Sequence, residues 1–195
     1  METPDSVCVF CGSSAGVDPV HAAAARDLGA ALAARGIRLV YGGGNVGLMG
    51  ILADAALAGG GRVLGVIPGF MRDRELGHRG LTELRVVADM HARKAAMAEA
   101  ADAFLALPGG IGTLDEMFEI WTWAQVGLHA KPCALVNVKG YYDGLIAFLD
   151  HMVGAGFLRA GHRATLGIAP DARSALDLLP ALPPPGGLRD KLNRH

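Results

Sequence analysis

Short apolar runs alternate with helix-length amphipathic segments along most of this 195-residue chain. The runs predicted as strands cover residues 7–10, 37–41, 63–67, 84–87, 103–107, 134–138 and 164–168. The segments predicted as helices cover residues 19–34, 47–57, 90–101, 113–126, 141–154 and 171–179. Strands joined through helices run parallel and carry helices on both faces of the sheet. The alternation therefore predicts a Rossmann-like, doubly wound α/β fold in one domain over residues 1–180, followed by a Pro- and Gly-rich tail over 181–195.

Composition narrows the classes of partner that such a domain would bind. Hydrophobic residues make up 51% of the chain and charged residues 19%, with a formal net charge of -1. A chain that is nearly neutral lacks the positive charge that grips nucleic acid or an anionic membrane. No apolar stretch approaches the roughly 20 residues that span a bilayer, and the acidic, polar start differs from a secretory signal. We therefore expect a cytoplasmic protein with neither a nucleic acid nor a membrane as its partner.

The cysteines and histidines do not form a pattern typical of a metal site or a disulfide framework. The chain has 3 Cys and 7 His residues. Cys8 and Cys11 are spaced as Cys-x-x-Cys, but Cys8 falls inside an apolar run, and a zinc site would need two more ligands. We expect small buried thiols on and beside the first strand, and no bound metal.

Three glycine-rich segments each follow a predicted strand, at residues 12–16, 42–50 and 109–112. Because ligands bind beyond the carboxyl ends of parallel strands, these segments are predicted to gather at one edge of the sheet. Gly12, Ser13, Gly43 and Gly44 are candidates for contacting a phosphate or a ribose. The spacing Gly42-x-Gly44-x-x-Gly47 matches a dinucleotide-binding fingerprint, but the expected acid after the third strand is missing, which disfavours a pyridine-nucleotide dehydrogenase. Tight turns that pack a helix on a strand are the alternative.

The segment from Leu107 to Glu116 carries the strongest functional signal. Three glycines follow an apolar strand, and a predicted helix begins at Thr113 with carboxylates at Glu116 and Glu119. The first amides of a helix lack partners within the helix and suit a phosphate, and glycine lets the main chain approach a ligand closely. A carboxylate one turn further along would meet whatever the phosphate anchors. The segment predicts chemistry on a nucleotide, with a solvated acidic helix face as the alternative.

A second charged segment opens the helix predicted from Met90. Asp89 is predicted to cap this helix, as Asp18 is predicted to cap the first. Arg93 and Lys94 are adjacent and point about 100° apart, so only one is expected to face a site squarely. A solvated basic patch is the alternative for both, and His91 is expected to be structural or exposed.

Together, the motifs Pro-Gly-Gly-x-Gly-Thr-x-x-Glu at residues 108–116 and Met-His-x-Arg-Lys at residues 90–94 resemble the Lonely-guy-type phosphoribohydrolases. The similarity extends through residues 10–14, 41–50, 122–125 and 140–142, and it covers about residues 6–160. It implies hydrolysis of the N-glycosidic bond of a cytokinin riboside 5'-monophosphate, with AMP as a plausible substrate, no cofactor, and a homodimer with the site near the subunit boundary. Some relatives were labelled lysine decarboxylases, but the sequence offers no evident pyridoxal-phosphate site.

The resemblance also implies roles for individual residues. Arg93 and Glu116 correspond to the catalytic pair, with the carboxylate acting as electrostatic stabiliser, as base toward water or as nucleophile. The positions implied to bind substrate are Glu75, Met90, Arg93, Lys94, Gly109, Gly110, Ile111, Gly112, Thr113, Leu114, Asp115, Glu116, Glu119 and Thr122. Many relatives have Tyr at the position of Ile111 and Glu at that of Asp115. The rival reading is a non-catalytic carrier of a nucleotide or of the molybdenum cofactor, and the presence of both Arg93 and Glu116 favours an enzyme.

Overall fold

A computed structural model describes residues 3–72 and 77–184 of the chain. The strands are β1 (Ser6–Phe10), β2 (Arg38–Tyr41), β3 (Val63–Pro68), β4 (Glu83–Val87), β5 (Ala103–Ala106), β6 (Cys133–Val136) and β7 (Leu166–Ala169). The helices are α1 (Pro19–Ala34), α2 (Gly47–Ala58), α3 (Gly69–Met71), α4 (Met90–Glu99), α5 (Ile111–Val126), α6 (Asp143–Gly154), α7 (Ala160–Arg163) and α8 (Ala172–Leu178). Single 3-10 turns lie at Val138–Gly140 and Leu179–Ala181. Within the described residues, every predicted strand and helix is present.

The strands form one parallel sheet in the order β4-β3-β2-β1-β5-β6-β7. Buried side chains of α1, α2 and α8 form a core on one face, with Leu28, Leu52 and Leu176 as members. Side chains of α4, α5 and α6 form the core on the other face, where Met97 and Trp121 pack. Burial on this scale is the main source of stability for a domain of this size. The doubly wound α/β prediction is confirmed.

Side-chain caps fix the starts of two predicted helices. Asp18 accepts a hydrogen bond from the Val20 amide at 3.0 Å, and Asp89 accepts one from the Ala92 amide at 2.8 Å. An acid at this position satisfies a helix amide that would otherwise lack a partner, which contributes about 1 kcal/mol. Both caps are as predicted.

The structure corrects two helix boundaries. Helix α5 begins at Ile111, two residues before the predicted start at Thr113, with Gly110 as an extended N-cap residue. Helix α6 begins at Asp143 because residues 138–140 form a 3-10 turn in which Lys139 has a positive φ of 51°. Neither of the short helices α3 and α7 is predicted from the sequence.

The glycine segments meet at the carboxyl ends of β1 and β5, where the strand order reverses direction. The Gly12 amide donates a hydrogen bond to the Pro108 carbonyl at 3.1 Å, and the Leu48 amide donates one to the Gly12 carbonyl at 3.0 Å. A Cβ atom on Gly47, whose φ is 58°, would overlap the Ser13 backbone. The predicted gathering of the three glycine segments is confirmed. Cys8 and Cys11 are buried free thiols, also as predicted. Among the described helices, none has the length and apolar character to cross a bilayer.

Candidate active site

Two cavities open beside the glycine segments and share Ser13 and Gly110 as lining residues. The first, here called the α5 cavity, has a volume of about 320 Å³. Its lining includes Cys11, Ser13, Met49, Met71, Met90, Arg93, Glu116 and residues 110–113. The second has a volume of about 480 Å³ and lies between the loop after β1 and Tyr141. The α5 cavity therefore combines a helix N-terminus, a cation and a carboxylate.

Glu116 is a buried carboxylate on the second turn of α5. Only 8% of the residue is exposed, and burial raises the pKa of its carboxyl above the usual value. The Arg93 guanidinium, with Nη1 at 3.4 Å from Oε1, opposes that rise. A carboxylate with a raised pKa and an open cavity before it is typical of a catalytic group. The alternative of a solvated acidic face is wrong for this residue.

Among the described residues, the Met90 sulfur, at 3.7 Å from Nη1, and three oxygen-bearing groups hold the Arg93 side chain in place. Its Nε donates to the Val66 carbonyl at 3.2 Å, and Nη2 donates to the Gly42 carbonyl at 3.3 Å. The third group is the Glu116 carboxylate. A planar guanidinium bound on several sides has one orientation, so its position relative to the carboxylate is fixed before any ligand arrives.

The turn at Gly42–Gly44 supplies carbonyl acceptors beside the site. The Gly42 carbonyl accepts from Arg93, the Gly43 carbonyl from the His78 amide at 2.9 Å, and the Gly44 carbonyl from the Tyr41 hydroxyl at 3.1 Å. A Cβ atom on Gly42 would overlap Arg93 Nη2. The glycine is therefore needed here because the guanidinium packs directly against the main chain.

Two tyrosine hydroxyls support the segment that precedes α5, and the start of the helix borders the α5 cavity. The Tyr141 hydroxyl donates to the Gly109 carbonyl and the Tyr142 hydroxyl to the Leu107 carbonyl, both at 2.7 Å. A Cβ atom on Gly109 would overlap Thr113, whereas one on Gly112 would meet nothing within 4 Å. Residues 111–113, which begin the helix, line the α5 cavity, and the start of a helix beside an open cavity suits a phosphate.

Lys94 faces the same helix as Arg93 but contacts different acids. Its Nζ lies 2.9 Å from Glu119 Oε2 and 3.2 Å from Asp115 Oδ2, and its side chain is only 10% exposed. The contact with the Glu119 carboxylate is the largest cause of a raised pKa for this ammonium group. Arg93 lines the α5 cavity and Lys94 does not. The prediction that one of the two faces the site is confirmed, and the alternative of a solvated basic patch is wrong.

Comparison with known proteins assigns the family. A family model described as "Possible lysine decarboxylase" matches residues 49–179. A probable cytokinin riboside 5'-monophosphate phosphoribohydrolase from Oryza sativa subsp. japonica, LOGL9, is 52% identical over 173 residues, 89% of this chain and 76% of the relative. The Arabidopsis thaliana enzyme LOG7 is 52% identical over 167 residues, 86% of this chain and 77% of the relative. The chain belongs to the Lonely-guy-type phosphoribohydrolase family.

Solved structures with low sequence identity to this chain share its fold. A molybdenum cofactor binding protein from Rippkaea orientalis superposes with a TM-score of 0.70 at 22% identity, covering 93% of this chain and 98% of that one. The molybdenum cofactor carrier protein of Chlamydomonas reinhardtii gives a TM-score of 0.67 at 21% identity, covering 90% and 96%. At this level of identity the likeness concerns the fold alone.

The structure brings most of the positions predicted from the family into one place. Met90, Arg93, Asp115, Glu116 and residues 110–113 line the α5 cavity. Ser13 lines both cavities, and Gly12 and Gly109 line the second. Glu119 does not line the α5 cavity, and its carboxylate contacts Lys94. Glu75 lies outside the described residues.

Other predicted positions lie elsewhere. Gly43 and Gly44 are buried and line neither cavity, Leu114 is half-buried, and Thr122 is exposed on a later turn of α5. His91 is exposed, in agreement with the prediction. Sequence reasoning missed Met49 and Cys11 as cavity lining, because an apolar residue on a helix or beside a core strand carries no local functional signal.

Proposed function

We propose that this phosphoribohydrolase-family protein hydrolyses the N-glycosidic bond of cytokinin riboside 5'-monophosphates and of AMP, releasing the free base and ribose 5-phosphate. The observation that carries the proposal is the buried ion pair of Arg93 and Glu116 beside the open N-terminus of α5. The curated relatives named as cytokinin riboside 5'-monophosphate phosphoribohydrolases, about half identical over most of the chain, support the same substrate class.

The substrate is held by its phosphate. The amides of Gly112 and Thr113, together with the Thr113 hydroxyl, bind the 5'-phosphate at the start of α5, where the helix dipole favours negative charge. Both residues line the cavity that contains Glu116. Anchoring the phosphate holds the anomeric carbon near the carboxylate, and this fixed proximity and orientation speeds the reaction.

The reaction then needs charge stabilisation at the sugar. As the bond from C1' to the base nitrogen breaks, positive charge develops on the ribose ring and the electron pair leaves with the base. The Glu116 carboxylate stabilises that positive charge, and a water molecule supplies the oxygen for C1' and the proton that the base requires. A guanidinium is a poor proton donor, so Arg93 is assigned the roles of orienting the carboxylate and offsetting negative charge.

Base release tests this proposal directly. The purified protein is incubated with isopentenyladenosine 5'-monophosphate or AMP, and the products are separated by chromatography. We expect free base and ribose 5-phosphate in equal amounts. The riboside without its 5'-phosphate is expected to react with a kcat/KM about 10⁴-fold lower, because it leaves the phosphate site unfilled. Tight binding of the nucleotide without any base release would instead favour a carrier.

A Gly42→Ala variant tests whether the position of Arg93 matters. The added methyl group overlaps the guanidinium and forces it away from the Gly42 carbonyl. A displacement of this size is expected to lower kcat for base release about 100-fold. Gly144→Ala, whose methyl group would meet nothing within 4 Å, is the matched control and is expected to retain full activity. Equal activities of the two variants would contradict the role given to Arg93.

The proposal includes a cytoplasmic homodimer with the site near the subunit boundary. Ile111 lines the α5 cavity yet is 88% exposed, and Phe70, next to the cavity residue Met71, is 52% exposed. Large apolar side chains left uncovered beside a binding site are typical of a surface that another subunit covers. The free cysteines fit a reducing compartment.

A further inference from the structure

Five charged side chains from two helices form one cluster beside the α5 cavity, here called the charge cluster. Helix α4 contributes Arg93 and Lys94, and helix α5 contributes Asp115, Glu116 and Glu119. Arg93, Lys94 and Glu116 are each at most 10% exposed in their side chains, and Glu119 is 27% exposed. Asp115, whose side chain is 58% exposed, lies at the solvent edge of the cluster. The other four groups share a poorly solvated space, so the ionisation of each depends on its neighbours.

The two cations divide the three acids between them. Arg93 contacts Glu116. Lys94 contacts Asp115 and Glu119, which lie one residue before and three residues after Glu116. Lys94 does not line the α5 cavity, whereas Gly112 and Thr113 do. Its ammonium group is thus directed at carboxylates and away from the space where a phosphate would lie.

We propose that Lys94 is a positioning residue that keeps Glu116 ionised by neutralising Asp115 and Glu119, and that it does not grip the substrate's phosphate. This inference rests on the proposed function, in which the ionised form of Glu116 does the chemistry. Without Lys94, the negative charges of Asp115 and Glu119, both within one helical turn, would oppose the ionisation of Glu116, which burial already disfavours.

The electrostatic balance at Glu116 agrees with this geometry. Burial is the largest cause of its raised pKa, and Asp115 and Glu119 raise that pKa further, whereas Arg93 and Lys94 lower it. Two more titratable groups lie near this region, Cys8 on β1 and Cys11 directly after it. Burial raises the pKa of both thiols, so both stay neutral. Among the described residues, the charges that act on the pKa of Glu116 besides burial are therefore those of the charge cluster.

The dependence of kcat on pH tests the inference. Base release requires ionised Glu116, so kcat rises with pH through the pKa of this group. Lys94→Met is expected to move that rise to higher pH by about one unit, because an opposing charge is lost. Glu119→Gln, which leaves Lys94 in place, is expected to move it to lower pH. Lys94→Arg preserves the charge and is expected to keep the wild-type profile.

Substrate binding distinguishes a positioning role for Lys94 from a role as phosphate ligand. Well above the pH of the rise, Lys94→Met is expected to keep a KM within about threefold of the wild type. A tenfold or larger increase in KM with an unchanged pH profile would overturn the inference and make Lys94 a phosphate ligand. If Lys94→Met does not fold, the other two variants still test the inference. An unchanged pH profile in Glu119→Gln, or a shifted one in Lys94→Arg, would overturn it.

A second readout does not require activity. The carboxyl carbon of Glu116 is followed by ¹³C NMR in protein labelled at the glutamate side chains, and its signal is assigned from its loss in Glu116→Gln. Lys94→Met is expected to raise the titration midpoint of this signal, and an unchanged midpoint would overturn the inference. If the wild-type protein releases no base, the proposed function fails, while the midpoint still reports whether Lys94 controls the ionisation of Glu116.

Discussion

Replacing Glu116 by glutamine is expected to slow base release from isopentenyladenosine 5'-monophosphate about a thousandfold. Glutamine has nearly the same shape as glutamate but carries no charge, so the positive charge that develops at C1' loses its stabiliser. Removing a positioned carboxylate of this kind typically costs two to four orders of magnitude in rate. The rate is measured by chromatography of the free base under saturating substrate.

Affinity for the nucleotide provides the internal control for this variant. The phosphate is held by Gly112 and Thr113, so calorimetry is expected to give a dissociation constant for AMP within about threefold of the wild type. Asp27→Asn, an exposed acid on the distant helix α1, is the control for a change of charge alone. Turnover of Glu116→Gln within a few-fold of that control would remove Glu116 from the mechanism.

An Arg93→Met variant is expected to lose both activity and stability. The buried Glu116 carboxylate loses its partner, and the Val66 and Gly42 carbonyls lose a donor. Breaking a buried ion pair from one side costs about 3–5 kcal/mol when the remaining group stays charged. We therefore expect the free energy of unfolding at pH 8, measured in urea, to fall by about 3 kcal/mol, together with a loss of base release of at least about 100-fold.

The stability loss in Arg93→Met is expected to depend on pH with a definite sign. The pKa of Glu116 is already raised in the folded protein, and the loss of Arg93 raises it further. A carboxyl group whose pKa is higher in the folded protein than in the unfolded one does not lower stability below its unfolded pKa of about 4.3. The free energy of unfolding then falls as pH rises through the folded pKa. The deficit against wild type is thus larger at pH 8 than at pH 4.5. What persists at pH 4.5 comes from the two carbonyls that lack a donor.

Arg93→Lys is the matched comparison for this prediction. Lysine keeps a positive charge near Glu116 but cannot reach the carboxylate and both carbonyls from one planar group. It is expected to recover most of the pH-dependent part of the stability and little of the activity. A deficit of equal size at both pH values in Arg93→Met would show that Glu116 is not the group whose ionisation Arg93 controls.

The fold could be predicted from the sequence because its signals are local. Alternation of apolar runs and amphipathic segments predicts a parallel sheet, and caps such as Asp18 fix helix starts to the residue. The sequence predicts the start of α5 at Thr113, two residues later than the observed start at Ile111. Gly112 is a poor helix former, so propensity alone places the helix after it. In the folded chain the braced Gly109–Gly110 segment sets the start instead.

The site could be predicted only as a list of residues. The two motifs identify Arg93 and Glu116, but their 3.4 Å approach depends on how α4 packs beside α5, which no local pattern encodes. The pairing of Lys94 with Asp115 and Glu119 is equally non-local. His78, whose amide supports the Gly43 carbonyl, stands in a segment with no periodicity at all.

A crystal structure of the Glu116→Gln variant with bound AMP would test the central claim most directly. The account predicts that the phosphate oxygens accept hydrogen bonds from the Gly112 and Thr113 amides at about 2.7–3.2 Å. It also predicts that C1' lies within about 4 Å of the side chain at position 116, as a reactive geometry requires. A nucleotide bound with its phosphate away from the start of α5, or with C1' out of contact with that side chain, would contradict the account.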